Sequence, residues 1–67
     1  MEELKNLAKN LKILRVQNGY TQRDVAEKLG VAYQSYQAYE RGVAVPTLQN
    51  FIRLVKLFDV SYEDLLT

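Results

Sequence analysis

Two side-chain amides, Gln34 and Gln37, stand one helical turn apart in the middle of a 67-residue chain, with Tyr33 just before them and Ala38 just after Gln37. A carboxamide presents donors and an acceptor together, which suits it to reading other hydrogen-bonding groups rather than to moving protons. Gln22, Arg23, Ser35 and Arg41 lie in the same stretch and can hold an anion or a polar edge. Nothing comparable serves catalysis. There is no histidine or cysteine, no glycine-rich loop to cradle a phosphate, and no carboxylate pair set to converge on a pocket. The missing imidazole and thiolate also remove the usual metal ligands, so neither a metal nor a cofactor is expected, and no small-molecule ligand is evident. The expectation is a binding protein, not an enzyme.

These side chains need a helix to share a face. The spacing predicts one over Ala32 to Arg41, in which Tyr36 and Tyr39 point inward and Tyr33, Gln34, Gln37 and Ala38 fall on the outer side. Just before it, Gln22 to Leu29 predicts a shorter helix with Val25, Ala26 and Leu29 as its buried stripe. Thr21 is its N-cap, and Asp24, three residues on, approximates a capping box. Gly30 makes the turn between them. Two short helices joined at a glycine form the layout of a helix-turn-helix, here spanning residues 22–41. That layout implies a sequence-specific DNA-binding domain.

The remaining elements read as scaffold. Met1 to Asn18 predicts a first helix with a stripe of Leu4, Leu7, Ala8, Leu11 and Leu14, closed by Gly19 in a left-handed position. Ile13 and Val16 lie off the stripe and read as exposed apolar residues. Thr47 caps a fourth helix to about Phe58, with Leu48, Phe51, Ile52, Val55 and Phe58 inward and Leu54 and Leu57 widening the apolar surface. Ser61 caps a fifth, Tyr62 to Leu66, which closes the core with Leu65. The fold class expected is all-α, a compact five-helix bundle in one domain over residues 1–67. No apolar run approaches the ~18 residues that span a bilayer, and no secretory signal pattern precedes the first helix. The expected location is the cytoplasm, in association with the nucleoid.

The formal net charge is only +1, but its distribution is uneven. All nine basic residues lie between Lys5 and Lys56, a stretch whose only acids are Asp24, Glu27 and Glu40, leaving it at +6. A basic middle suits a phosphate-facing surface, although charge alone serves a mixed solvated surface equally well.

The chain resembles the Cro/C1-type, or XRE, helix-turn-helix domain of the lambdoid phage repressors. The resemblance is carried by Leu11 to Arg15 (L-x-x-L-R), Gly19 to Gln22 (G-Y-T-Q), Ala26 to Gly30 (A-x-x-x-G), Tyr39 to Gly42 (Y-E-R-G), Pro46 to Leu48 (P-T-L) and Val60 to Leu66. It implies that the third helix enters the major groove, with Tyr33, Gln34, Gln37 and Ala38 as base contacts. It implies phosphate contacts from Gln22, at a helix N-terminus, and from Arg23, Ser35 and Arg41. It also implies that Arg15 and Glu40 pair between the first and third helices, a structural link that sets the angle of the reading helix. The partner is then double-stranded DNA, bound by a homodimer on a palindromic operator with half-sites ~34 Å apart. Repression by occupancy is the activity implied.

Three departures from the family pattern stand out. Tyr36 replaces the usual Val or Ile, and its ring could tilt the third helix or bring a hydroxyl near DNA. The loop Val43-Ala44-Val45 lacks polar residues. Asp59 replaces a frequent glycine, which Asp tolerates in the left-handed region. The apolar loop, with Leu57, Leu54, Ile13, Val16 and Leu66, suggests a small homodimer interface. It equally allows a second class of function, a protein-interaction module of the same fold, such as an antitoxin or a regulatory subunit.

Overall fold

The computed structural model describes residues 1–67 as five helices and no strand: α1 Glu2–Gln17, α2 Gln22–Leu29, α3 Tyr33–Arg41, α4 Leu48–Phe58 and α5 Tyr62–Leu66. The helix starts follow from local chemistry. Thr21 Oγ1 accepts from the Asp24 amide at 3.0 Å while Asp24 Oδ2 accepts from the Thr21 amide at 2.8 Å, a closed capping box. Ser61 and Asp64 repeat it on α5, and Thr47 caps α4 through the Asn50 amide. Ala32, expected inside the third helix, is its N-cap instead. With no side-chain acceptor of its own it leaves the entry of α3 open.

The helix ends are equally local. Val31 donates back to Ala26 and Gly30 to Glu27, while Gly30 sits at φ +72°. This is the left-handed closure that a side chain would strain, and it lets α3 start within three residues of α2. Gly42 closes α3 the same way, and a Cβ there would stand 3.6 Å from that of Ala8, ordinary contact distance. Its φ of +73°, rather than crowding, is what asks for glycine. Asp59 adopts φ +54° at the end of α4, as the sequence allows.

The core is built from all five helices. Leu11, Val25, Leu29, Tyr36, Leu54 and Leu65 are its largest fully buried side chains. α1 packs on α3 and α5, and α2 on α3 and α4. Two expectations change here. Phe51, Val55 and Phe58 turn inward on α4 as expected, but Leu48 is 74% exposed and Leu54, expected only to widen the apolar surface, is fully buried. Periodicity centres the apolar face of α4 on Phe51, Val55 and Phe58 but leaves its edges open. The neighbours α2 and α5 decide that the Leu54 edge is covered and the Leu48 edge is not. With Leu54 buried and Leu57 half-buried, the exposed apolar surface moves from the end of α4 to the loop and the start of α4. The second change concerns Tyr36. Its hydroxyl is buried inside the fold, not presented to a ligand.

Two asparagines on one side of α1 tie down the short α5. Asn6 donates to the Leu66 carbonyl at 3.1 Å, and Asn10 to those of Asp64 and Leu65 at 3.1 and 3.0 Å. The last carbonyls of a helix have no intrahelical donor, so these amides supply the missing partners. Asn10→Ala should therefore lower unfolding stability by about 1 kcal/mol, read from the midpoint shift in urea at unchanged slope. No helix is long and apolar enough to cross a membrane.

Candidate functional site

The site grows outward from one buried ion pair. Arg15 leaves the last turn of α1 and Glu40 the end of α3. The two meet side-on, with Nε 2.6 Å from Oε2 and Nη2 3.3 Å from Oε1. The Glu40 side chain is 3% exposed and that of Arg15 14%. Arg15 Nη1 also donates to the Tyr20 carbonyl at 3.0 Å, which pins the turn between α1 and α2. Hydrogen bonding to Glu40 raises the guanidinium pKa against the burial that lowers it. Burial pushes the Glu40 carboxyl up, but the Arg15 guanidinium, the neighbouring Tyr36 hydroxyl and the Gln22 amide together outweigh it. Its pKa lies below the ordinary glutamate value. Tyr36 Oη, close to this pair, closes no hydrogen bond of standard geometry. Burial first, and then the adjacent Glu40 carboxylate, push its ionisation far above the usual phenol range.

Glu40 then reaches the surface through Gln22. The capping box places Gln22 at the first position of α2, and its Nε2 donates to Glu40 Oε1 at 3.1 Å. That leaves Gln22 Oε1 facing α3, 3.5 Å from both the Tyr33 hydroxyl and Gln37 Nε2. Gln37 Nε2 also donates to Tyr33 Oη at 3.0 Å. The Arg23 guanidinium lies over the Tyr33 ring, 4.2 Å from its centroid, and holds the ring from outside. Arg15, Tyr20, Thr21, Gln22, Arg23 and Tyr33 line a shallow open concavity at the N-terminus of α2. The backbone amides of Gln22 and Arg23 have no acceptor within the fold, so this concavity carries two free donors and the positive end of the helix. Such a concavity can accept an anion.

The structure thus brings Gln22, Arg23, Tyr33 and Gln37 together with Arg15 and Glu40 in one connected cluster. Gln34 and Arg41 lie outside it, exposed and without side-chain partners, on the outer face of α3 beside the half-buried Ala38. Ser35 is exposed but ~100° round the helix from Gln34, facing away from the cluster. The sequence reading missed Tyr20, whose carbonyl receives Arg15, whose ring lies 5.1 Å from Lys28 Nζ, and which lines the concavity. Its position directly after the Gly19 turn was the available signal, because a residue there folds back on the helix it follows.

The family described as Helix-turn-helix matches the chain over residues 11–65. Among relatives, the uncharacterised HTH-type transcriptional regulator YqaE of Bacillus subtilis is 39% identical over 59 residues, 88% of this chain and 51% of that protein. The HTH-type transcriptional regulator ImmR of the same organism is 38% identical over 61 residues, 91% of this chain and 48% of that one. The chain therefore spans about half the length of these two relatives. Among solved structures, the restriction-modification controller protein C.AhdI of Aeromonas hydrophila superposes with a TM-score of 0.84 at 25% identity, covering 97% of this chain and 98% of that one. The matched residues run from the middle of α1 through α5 and include the Arg15–Glu40 pair and every residue of the cluster. This chain belongs to the helix-turn-helix family, in its Cro/C1-type branch.

Proposed function

We propose that this chain is a DNA-binding unit of a transcriptional repressor, laying α3 in the major groove of a palindromic operator. One observation carries the reading. The anion-accepting N-terminus of α2 stands beside an exposed, amide-bearing face of α3, and the Arg15–Glu40 pair holds α3 in place. Gln34, Gln37, Tyr33 and Ala38 face bases. Gln22, Arg23, Ser35 and Arg41 face phosphates, which fix register without reading sequence. A chromosomal target places the protein at the nucleoid in the cytoplasm.

Two copies bind together. The supporting feature is exposed apolar surface: Val43, Val45 and Leu48 are each about two-thirds exposed or more. Val45 and Leu48 join Leu7, Pro46, Phe51 and Leu66 around a shallow apolar groove. Selection from random duplexes should yield a two-fold repeated sequence with half-sites ~34 Å apart. A single unrepeated half-site bound with full affinity would remove the homodimer from the proposal.

The electrostatic share has its own test. Fluorescence anisotropy on the selected duplex should show affinity falling steeply with salt. Arg41→Ala should weaken specific and random duplexes alike and reduce the salt slope by about 1 per bound copy. Affinity that is indifferent to salt would point to a protein partner instead.

A further inference from the structure

The hydrogen bonds around Gln22 have a direction, and it is set from the interior. Glu40 is a carboxylate, which can only accept. Gln22 must therefore turn its NH2 group towards Glu40, and the 3.1 Å bond shows that it does. Its oxygen is left to face α3, where it receives the Tyr33 hydroxyl and one N–H of Gln37, both at 3.5 Å and hence weakly. Gln37 Nε2 also donates to Tyr33 Oη at 3.0 Å, the strongest of the three contacts. Both contacts of the Gln37 NH2 group therefore lie on its inward side, which turns the carboxamide oxygen outward.

The opposite amide orientation is disfavoured by the same accounting. Flipping Gln37 would set its oxygen against the oxygen of Gln22 at 3.5 Å. A single hydroxyl proton, on Tyr33, would then have to serve both. Flipping Gln22 as well would place its oxygen against the charged Glu40. The Tyr33 ring cannot easily swing away to release the constraint, because Arg23 covers it at 4.2 Å.

We infer that Gln37 meets DNA through its carboxamide oxygen, as a hydrogen-bond acceptor, and so reads a base that offers an exocyclic amino group in the major groove, adenine or cytosine. The inference rests on the proposed docking of α3 in that groove. Adenine presents N6–H2 there and cytosine N4–H2, whereas guanine presents only the acceptors N7 and O6 and thymine the acceptor O4 and a methyl. Gln34, with no partner in the fold, has no such restriction. Tyr33 then also positions Gln37. Its hydroxyl is spent on aiming that amide, and only its ring is left to meet a base.

The test is selection from random duplexes with the wild-type chain, Gln37→Ala and Tyr33→Phe, with circular dichroism and thermal unfolding to show that each variant is folded. The position at which Gln37→Ala erases preference identifies the base read by Gln37. In the wild type that base should be adenine or cytosine, favoured over guanine and thymine on the order of tenfold. Tyr33→Phe removes the strongest contact of the Gln37 NH2 group, frees the amide to turn, and should admit guanine or thymine at that position while other positions keep their preference. A loss of structure or of general affinity would not move one position alone. Guanine or thymine at that position in the wild type, or an unchanged preference in Tyr33→Phe, overturns the inference. If Gln37→Ala alters no position, Gln37 is not a base reader and the inference falls while the DNA reading stands. If the wild type selects no sequence at all, the DNA reading falls and takes the inference with it.

Discussion

Replacing Glu40 with alanine should cost about 3–5 kcal/mol of stability, because it leaves the Arg15 guanidinium largely buried with its principal partner gone. The pair is well enclosed, with the carboxylate side chain 3% exposed and the guanidinium 14%, so solvent screens it little. A chain of this length has a total stability of only about 3–10 kcal/mol, so the loss is a large share of it. Gln22 loses its anchor in the same step, so any fraction that stays folded should also lose base discrimination. The double replacement Arg15→Met with Glu40→Leu removes both charges and should recover much of the stability without recovering DNA binding. Urea titration of the three chains distinguishes the cases. A loss below about 1 kcal/mol in Glu40→Ala would mean that the pair behaves like one on the surface.

The same carboxylate gives a pH signature. Its folded pKa is depressed below the ordinary value of 4.5, the hydrogen bonds outweighing burial. A depressed carboxylate contributes stability that is fully present above its unfolded pKa and is lost as pH falls through the folded one. Wild-type stability should therefore begin to fall as pH drops past 4.5 and continue falling below it. Asp24 is also depressed, chiefly by the Thr21 backbone amide of the capping box, and it titrates in the same sense. The double variant should consequently show a shallower acid slope, not a flat one.

The second large effect is on binding. Gln34 is exposed and has no partner within the fold, so Gln34→Ala should leave stability within about 0.5 kcal/mol of the wild type. On the selected operator it should cost about 1–3 kcal/mol per half-site. Two copies on a palindrome meet the loss twice, at sites far enough apart to add, so the complex should weaken by about 2–6 kcal/mol. That is roughly 30-fold to 10⁴-fold in affinity. Binding to random duplexes and its salt slope should not change, because no phosphate contact is removed. Anisotropy on operator and random DNA measures both. Equal weakening on the two would move Gln34 from the bases to the backbone.

These two variants mark where reading the chain succeeds and where it stops. Helix boundaries, caps and turns were legible because their causes lie within a few residues. Thr21 caps the amide of Asp24, Gly30 and Gly42 supply the left-handed turns, and Asp59 does the same for α4. The resemblance to a known family also foretold that Arg15 would meet Glu40. The inward face of α4 was legible at Phe51, Val55 and Phe58 but not at its edges, where α2 and α5 bury Leu54 and leave Leu48 exposed. Nor was the burial of the Tyr36 hydroxyl, which depends on where α1 and α3 close around it.

The reading face shows the division most clearly. Its residue types are local facts, and Gln34 and Gln37 fall on the outer side of α3 by helical period alone. Which atom of each amide looks outward is not local. It follows from a carboxylate 18 residues from Gln22 that can accept but not donate, and from a hydroxyl 11 residues from Gln22 that passes the direction on. The sequence by itself determined the elements and the candidates. Only the tertiary structure decided the polarity with which Gln37 is presented, because hydrogen-bond direction is settled between groups that meet through space.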